Sequence, residues 1–229
     1  MQNHHNQQTI RNLLSNQEWV NPRSRDSGLK ESSKDKSFHL PKMTQEEHFF
    51  SICVPPFFKD VSLEACDKIK PALIEFGYEW AKKPTSLLLC GGLGNGKSTY
   101  AFSLIRQVFR KCPYHLWPKY FTSPDLDSKL LNASKSLEGD SVIIKELGEE
   151  DLLFIDDLGR ETRTDRLKRQ FFELFNYRYT HNKPTIVTSN YTLEQIGEVV
   201  NDAIASRMQE WQIIEFKGPD LRGKKIIEG

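Results

Sequence analysis

The chain has 229 residues and a mass of 26.6 kDa, with 38% hydrophobic and 28% charged residues, enough for one sizeable core and a small appendage. Its formal net charge of +1 excludes a global pull toward nucleic acid or an anionic membrane, so any such contact has to be local. No apolar stretch reaches bilayer length and the amino terminus lacks the apolar core of a signal peptide. With no C-x-x-C pair among Cys53, Cys66, Cys90 and Cys112, the expectation is a reduced, cytoplasmic protein without a membrane role.

Residues 1–45 are polar and charge-mixed and read as a flexible extension; residues 46–229 read as one domain. Within the extension, Ile10, Leu13, Leu14, Trp19 and Val20 suit one short amphipathic helix, too short to stand without a partner. A frayed tail and a docking peptide are both open readings. The adjoining His4 and His5 belong to a solvated tail rather than a metal site.

Beyond the extension, strand-like and helix-like segments alternate. Leu87 to Cys90 is a short apolar run, and from Ser98 the spacing of Ala101, Leu104, Ile105 and Val108 predicts a helix stopped at Cys112-Pro113. Tyr114 to Phe121 reads as a strand that Pro118 consigns to a sheet edge, because proline donates no ladder bond. Ser123-Pro124 predicts an N-cap and first helical residue. Leu152 to Ile155 is a second buried strand. Leu167, Phe171, Leu174 and Phe175 then mark a helix that ends before Pro184. Thr185 to Ser189 is a further strand, Thr192 with Gln195 a capping box, and Trp211 to Phe216 the last strand. This order predicts an α/β fold, a parallel sheet covered on both faces, whose ligands gather at the carboxyl ends of the strands.

The chemistry is concentrated at those ends. Gly91 to Ser98, "GGLGNGKS", fits G-x-x-x-x-G-K-[ST] between a strand and a helix, the setting of a P-loop. Backbone amides of Gly94, Asn95, Gly96 and Lys97 then face phosphate oxygens at the positive end of the helix. Lys97 reaches the β- and γ-phosphates and Ser98 offers its hydroxyl to Mg2+. The nucleotide-binding set is Gly91, Gly92, Leu93, Gly94, Asn95, Gly96, Lys97, Ser98 and Thr99. In "DLLFIDDLG", two adjacent carboxylates follow an apolar strand, a conflict that a cation relieves. Asp156 is the metal ligand with Ser98, and Asp157 orients or deprotonates the attacking water. Asn190, ending "TIVTSN", is placed to bond both a water and a γ-phosphate oxygen. Arg207 in "IASRM" is a candidate arginine finger; acting in trans, it makes the active site span two subunits.

Taken in order, "GGLGNGKS", "LLFIDDLG", "TIVTSN", "SRM" and "FKGPDLRGKK" resemble the DnaC/IstB-type branch of the AAA+ ATPases, over roughly Pro55 to Lys224. The resemblance implies an ATP-hydrolysing three-layer P-loop core with sheet order 5-1-4-3-2 and no C-terminal helical lid, for which too few residues follow Arg207. It also implies sensor roles for Asn190 and, in "DLRG", Arg222, where Leu221 replaces the family's usual aromatic. Single-stranded DNA contacts are implied near Phe121, Lys129 and Lys135, although plain solvated lysines are the better explanation of the last two. The arginines of "GRETRTDRLKRQ" suit an exposed helix face or a subunit contact.

The reading is an ATP- and Mg2+-dependent loader that grips a replicative DNA helicase through its amino-terminal extension and senses single-stranded DNA. A transposition helper of the IstB kind is the rival that shares the core. A small-molecule P-loop kinase lacks a reason for Asn190 and Arg207, and a non-hydrolysing adaptor lacks one for intact Lys97, Asp156 and Asp157.

Overall fold

The computed structural model describes residues 44–65, 70–111, 116–133, 140–159, 164–218 and 220–221. The chain divides into two units between Pro41 and Lys42. The helix expected near Ile10–Val20 lies outside the described residues, as do Cys66, Cys112, Lys135 and Arg222.

The second unit opens with helix α1, Gln45–Ser51, whose start is held by a reciprocal cap. Thr44 Oγ1 accepts from Glu47 N at 3.2 Å, and Thr44 N donates to the Glu47 carboxylate at 2.6 Å. A 3-10 turn at Pro56–Phe58 and helix α2, Pro71–Trp80, lead to strand β1, Leu87–Gly91. Then follow α3 (Lys97–Lys111), β2 (Pro118–Thr122), α4 (Ser123–Ala133) and α5 (Asp140–Glu149). The series closes with β3 (Leu152–Leu158), α6 (Asp165–Thr180), β4 (Thr185–Ser189), α7 (Leu193–Val199), α8 (Asp202–Met208) and β5 (Gln212–Phe216).

The five strands pair in parallel in the order β2-β3-β4-β1-β5. Read from the other edge this is the expected 5-1-4-3-2, with Pro118 as the first residue of the edge strand β2. The pleat sends alternate side chains to opposite cores. Leu87, Leu89, Leu152, Phe154 and Ile186 pack with Phe49, Trp80, Tyr100 and Phe109 of α1, α2 and α3. Leu88, Cys90, Leu153, Ile155 and Val187 pack with Leu130, Leu147, Phe171, Ile196 and Met208 of the remaining helices. Cys90 is a free, buried thiol within that layer.

Two local readings change. Apolar spacing assigned α3 one buried face, yet it is buried continuously from Tyr100 to Phe109, polar Ser103, Arg106 and Gln107 included. The cause is the unforeseen α1, which covers its outer side: the Arg106 guanidinium lies 4.6 Å above the Phe49 ring and donates to the Lys59 carbonyl. The cap of α4 is also one residue earlier than Ser123. Thr122 Oγ1 accepts from Asp125 N at 3.2 Å, and Ser123 is already helical and buried.

The sheet's amino-terminal end is tied by Arg178, which is 1% exposed. Its guanidinium donates to Thr185 Oγ1 (2.9 Å) and to the carbonyls of Leu147 (2.8 Å), Gly148 (3.2 Å), Glu150 (2.9 Å) and Pro184 (2.6 Å). Burial lowers its pKa to about 10, so it stays charged at neutral pH, and one cation joins α5, α6 and β4. In "GRETRTDRLKRQ", Arg166 pairs with Asp140 at 2.9 Å and Arg169 is exposed, while Arg160 and Arg163 lie outside the described residues. Arg178→Ala strands these carbonyls in the interior. Its expected cost is about 3 kcal/mol or more, a thermal midpoint lower by roughly 10 °C. A denaturation curve with an unchanged midpoint overturns this account.

Candidate nucleotide site

Strand β1 stops because its last residue has to turn where no side chain fits. Gly91 has φ 133, and a Cβ there would sit 2.2 Å from the Phe216 carbonyl oxygen on β5. Gly94 and Gly96, at φ 68 and 93, then turn the chain into α3. The loop's outer wall comes from far along the sequence: Asn95 Nδ2 donates to the Phe216 carbonyl at 2.6 Å, and Leu221 N donates to the Gly94 carbonyl at 2.9 Å. The rim at Gly92 and Leu93 is exposed. Thr99 sits half-buried in the first turn of α3, where its carbonyl accepts from Ser103 Oγ.

Lys97 is 7% exposed and folds back into the loop. Its ammonium donates to the carbonyls of Gly91 (2.9 Å) and Gly92 (2.7 Å) and to Asn95 Oδ1 (3.2 Å). A further bond at 2.9 Å reaches Asn190 Oδ1, just beyond β4. Asn190 uses its amide in the other direction, donating from Nδ2 to Asp157 Oδ1. A hydrogen-bonded line therefore runs from the glycine loop through Lys97 and Asn190 to Asp157.

A second line starts one residue later. Ser98 Oγ donates to Asp156 Oδ1 at 2.7 Å, and Thr188 Oγ1 donates to the same oxygen. Burial pushes the Asp156 carboxyl above its ordinary range; the Thr188 and Ser98 bonds pull it back, and the Asp157 charge adds to the rise.

Between Ile155 and Leu158 the ladder to β4 skips, and Asp157 takes a left-handed φ of 60. The backbone N–H of Asp157 donates to Thr188 Oγ1 at 2.8 Å, so a side-chain hydroxyl replaces a strand partner. This bulge lets two consecutive carboxylates serve one end of the sheet. Thr188 was missed at the sequence level. Its signal was a hydroxyl in a strand whose neighbours Ile186 and Val187 fill opposite cores.

The residues fit a triphosphate with its metal. Three glycines hold positive φ around a buried ammonium, and a hydroxyl and a carboxylate meet beside it. Among the described residues no three His, Cys, Asp or Glu side chains form a metal cluster. Ser98 and Asp156 thus suit a cation that arrives with phosphate and water ligands, as Mg2+ does.

Arg207 is not part of this group in its own chain. Its Nη1 donates to the Ala203 carbonyl at 2.9 Å and its Nη2 to Asn176 Oδ1 at 2.6 Å, over the rings of Phe172 and Tyr179. Lys129 pairs with Glu146 at 3.4 Å, and Phe121 packs half-buried against the core. No helix among the described residues is long and apolar enough to cross a membrane.

Asp156→Asn tests the carboxylate. Because Ser98 and Thr188 both donate to Oδ1, asparagine retains both bonds while losing the buried charge. A folded pKa above the unfolded one makes stability fall as pH rises from the ordinary aspartate range through the raised value. The variant is expected to lose that slope, to melt no lower than the parent at neutral pH, and to lose Mg2+-dependent ATP turnover by at least about a hundredfold. Full turnover retained removes the metal role.

Residues 70–218 match the family described as IstB-like ATP binding protein. The phage-like element PBSX protein XkdC of Bacillus subtilis (strain 168) is 30% identical over 166 residues, covering 66% of this chain and 59% of that protein. The chain thus spans about three-fifths of that relative's length. The crystal structure of the DnaC helicase loader superposes with a TM-score of 0.61 at 20% identity, covering 71% of this chain and all of that one. The crystal structure of DnaI gives 0.60 at 21% identity, covering 74% and 94%. At such identities the two structures share the fold, and the family match spans the glycine loop, both acids and Asn190: the chain belongs to the IstB-like ATP-binding family, with a P-loop core.

Proposed function

We propose that the chain is a cytoplasmic, ATP-dependent replication factor that grips a replicative DNA helicase and delivers it to single-stranded DNA, with ATP hydrolysis as the release switch. The observation that carries this reading is the line from the glycine loop through Lys97 and Asn190 to Asp157. An ammonium held by two carbonyls and two side-chain oxygens exchanges those acceptors for phosphate oxygens, and Asn190 transmits the exchange to the acid beside the reacting phosphate. A site wired in this way reports which nucleotide it holds, as a switch requires.

In the mechanism, the loop amides and Lys97 hold the phosphates, Asn190 and Asp157 orient a water, and the Asp157 carboxylate takes its proton as the water oxygen attacks the γ-phosphorus and ADP leaves. Ser98 and Asp156 would hold Mg2+, which would supply charge neutralisation on the phosphoryl oxygens. Arg207 acts across a subunit boundary. The helicase assignment draws on the likeness to the DnaC loader and DnaI, and the single-stranded DNA assignment on the stretch from Phe121 through Lys129 to Lys135. The family match favours a second reading, a transposition helper that serves a transposase on duplex DNA.

Lys97→Ala is expected to weaken ATP binding at least about tenfold in a fluorescent-nucleotide titration; unchanged affinity refutes the cradle. The full chain is expected to retain the replicative helicase on a column in ATP and release it after hydrolysis. Deletion of residues 1–41, which spares the Thr44 cap of α1, is expected to abolish that capture without lowering the melting temperature. Capture of a transposase and not the helicase favours the second reading, and capture by the truncated chain gives the extension another task.

A further inference from the structure

We infer that Asn176 is a positioning residue for Arg207, aiming its guanidinium out of the subunit that carries it. The inference rests on the proposed role of Arg207 across a subunit boundary. The group is seated from four directions. Nη2 donates to Asn176 Oδ1 at 2.6 Å and Nη1 to the Ala203 carbonyl, one turn back on α8, at 2.9 Å. The ring of Phe172 lies 4.8 Å from the guanidinium carbon and that of Tyr179 5.7 Å. Phe172, Asn176 and Tyr179 stand at i, i+4 and i+7 on one face of α6. The Tyr179 hydroxyl is in turn fixed by the Glu210 carboxylate at 2.9 Å.

Two features separate this seat from ordinary surface packing. Arg207 Nε is buried with no hydrogen-bond partner among the described residues, so the pose is held at a desolvation cost that the two Nη bonds and two rings offset. The direct acceptors of Arg207 among the described residues are an amide oxygen and a peptide carbonyl, while the Glu210 carboxylate at the edge of the seat accepts from the Tyr179 hydroxyl. Neutral direct acceptors orient the fork without a carboxylate bonded to it, as an arginine that stabilises a transferring phosphoryl group needs. Helix α6 begins close after the Asp157 strand end, at the Thr164 cap, so the seat stands on the element that follows that acid.

The test uses Asn176→Leu, which keeps the volume and removes the acceptor, with Arg207→Ala as control. Asn176→Leu is expected to lower turnover per site about threefold to tenfold at assembling protein concentrations, with affinity for a fluorescent ATP analogue within about twofold of the parent. Mixing it with Asp157→Asn subunits, which retain a seated Arg207, is expected to raise turnover above that of either alone. In the nucleotide-free protein, the Arg207 Nε–H resonance is expected to exchange slowly in the parent and rapidly in the variant. If Asn176→Leu does not fold, Phe172→Leu carries the same three measurements. Unchanged turnover in Asn176→Leu beside a defect in Arg207→Ala overturns the positioning role alone; a loss that mixing does not restore overturns it too, as a defect inside the subunit. Unchanged turnover in Arg207→Ala overturns the trans reading and the inference with it.

Discussion

The organisation of this domain depends on a buried ammonium. Lys97 is removed from water at the carboxyl end of β1 and is compensated by Gly91, Gly92, Asn95 and Asn190. An uncompensated cation there would cost several kcal/mol, so these acceptors have to be brought together whatever else the chain does. That requirement draws β1 and the end of β4 side by side and bends the glycine loop over the head of α3. It also makes Asn190 an oriented group, since Lys97 claims its oxygen and only the amide is left to face Asp157.

Adjacent strands add the second constraint. Two consecutive carboxylates at the end of a flat strand would point to opposite faces of the sheet. The skipped ladder position between Ile155 and Leu158 and the left-handed backbone at Asp157 change their aim, and Thr188 satisfies both the displaced N–H and the Asp156 oxygen. Aspartate tolerates that backbone better than most residues. The same acids would make a poor strand end without their hydroxyl partners, and the raised proton affinity of Asp156 comes first from its burial, with the neighbouring Asp157 charge adding a smaller part.

Much of this was legible in the residues. The glycine spacing, the acid pair after an apolar run and the edge position of Pro118 each follow from a local rule, and each reads the same from one sequence as from the folded chain. What stayed hidden depends on tertiary neighbours. The full burial of α3 needs α1, whose only local sign is the Thr44–Glu47 cap; the seat of Arg207 needs a helix that the sequence places about thirty residues earlier. Thr188 was hidden because a threonine in a strand is ordinary, and its importance comes from the bulge opposite. Arg178 was unreadable for the converse reason: a lone arginine in an amphipathic helix looks solvated until the carbonyls that surround it are known.

The glycine loop is completed by residues that are translated long after it. Phe216 and Leu221 bond Asn95 and Gly94 across more than a hundred positions, and β5 forms the outer neighbour of β1. During synthesis the amino-terminal portion therefore emerges with its phosphate cradle open along one side, unable to close until nearly the whole domain has been translated. A chain not yet extended through β5 and Leu221 therefore lacks one wall of its glycine loop, however well the preceding strands have formed.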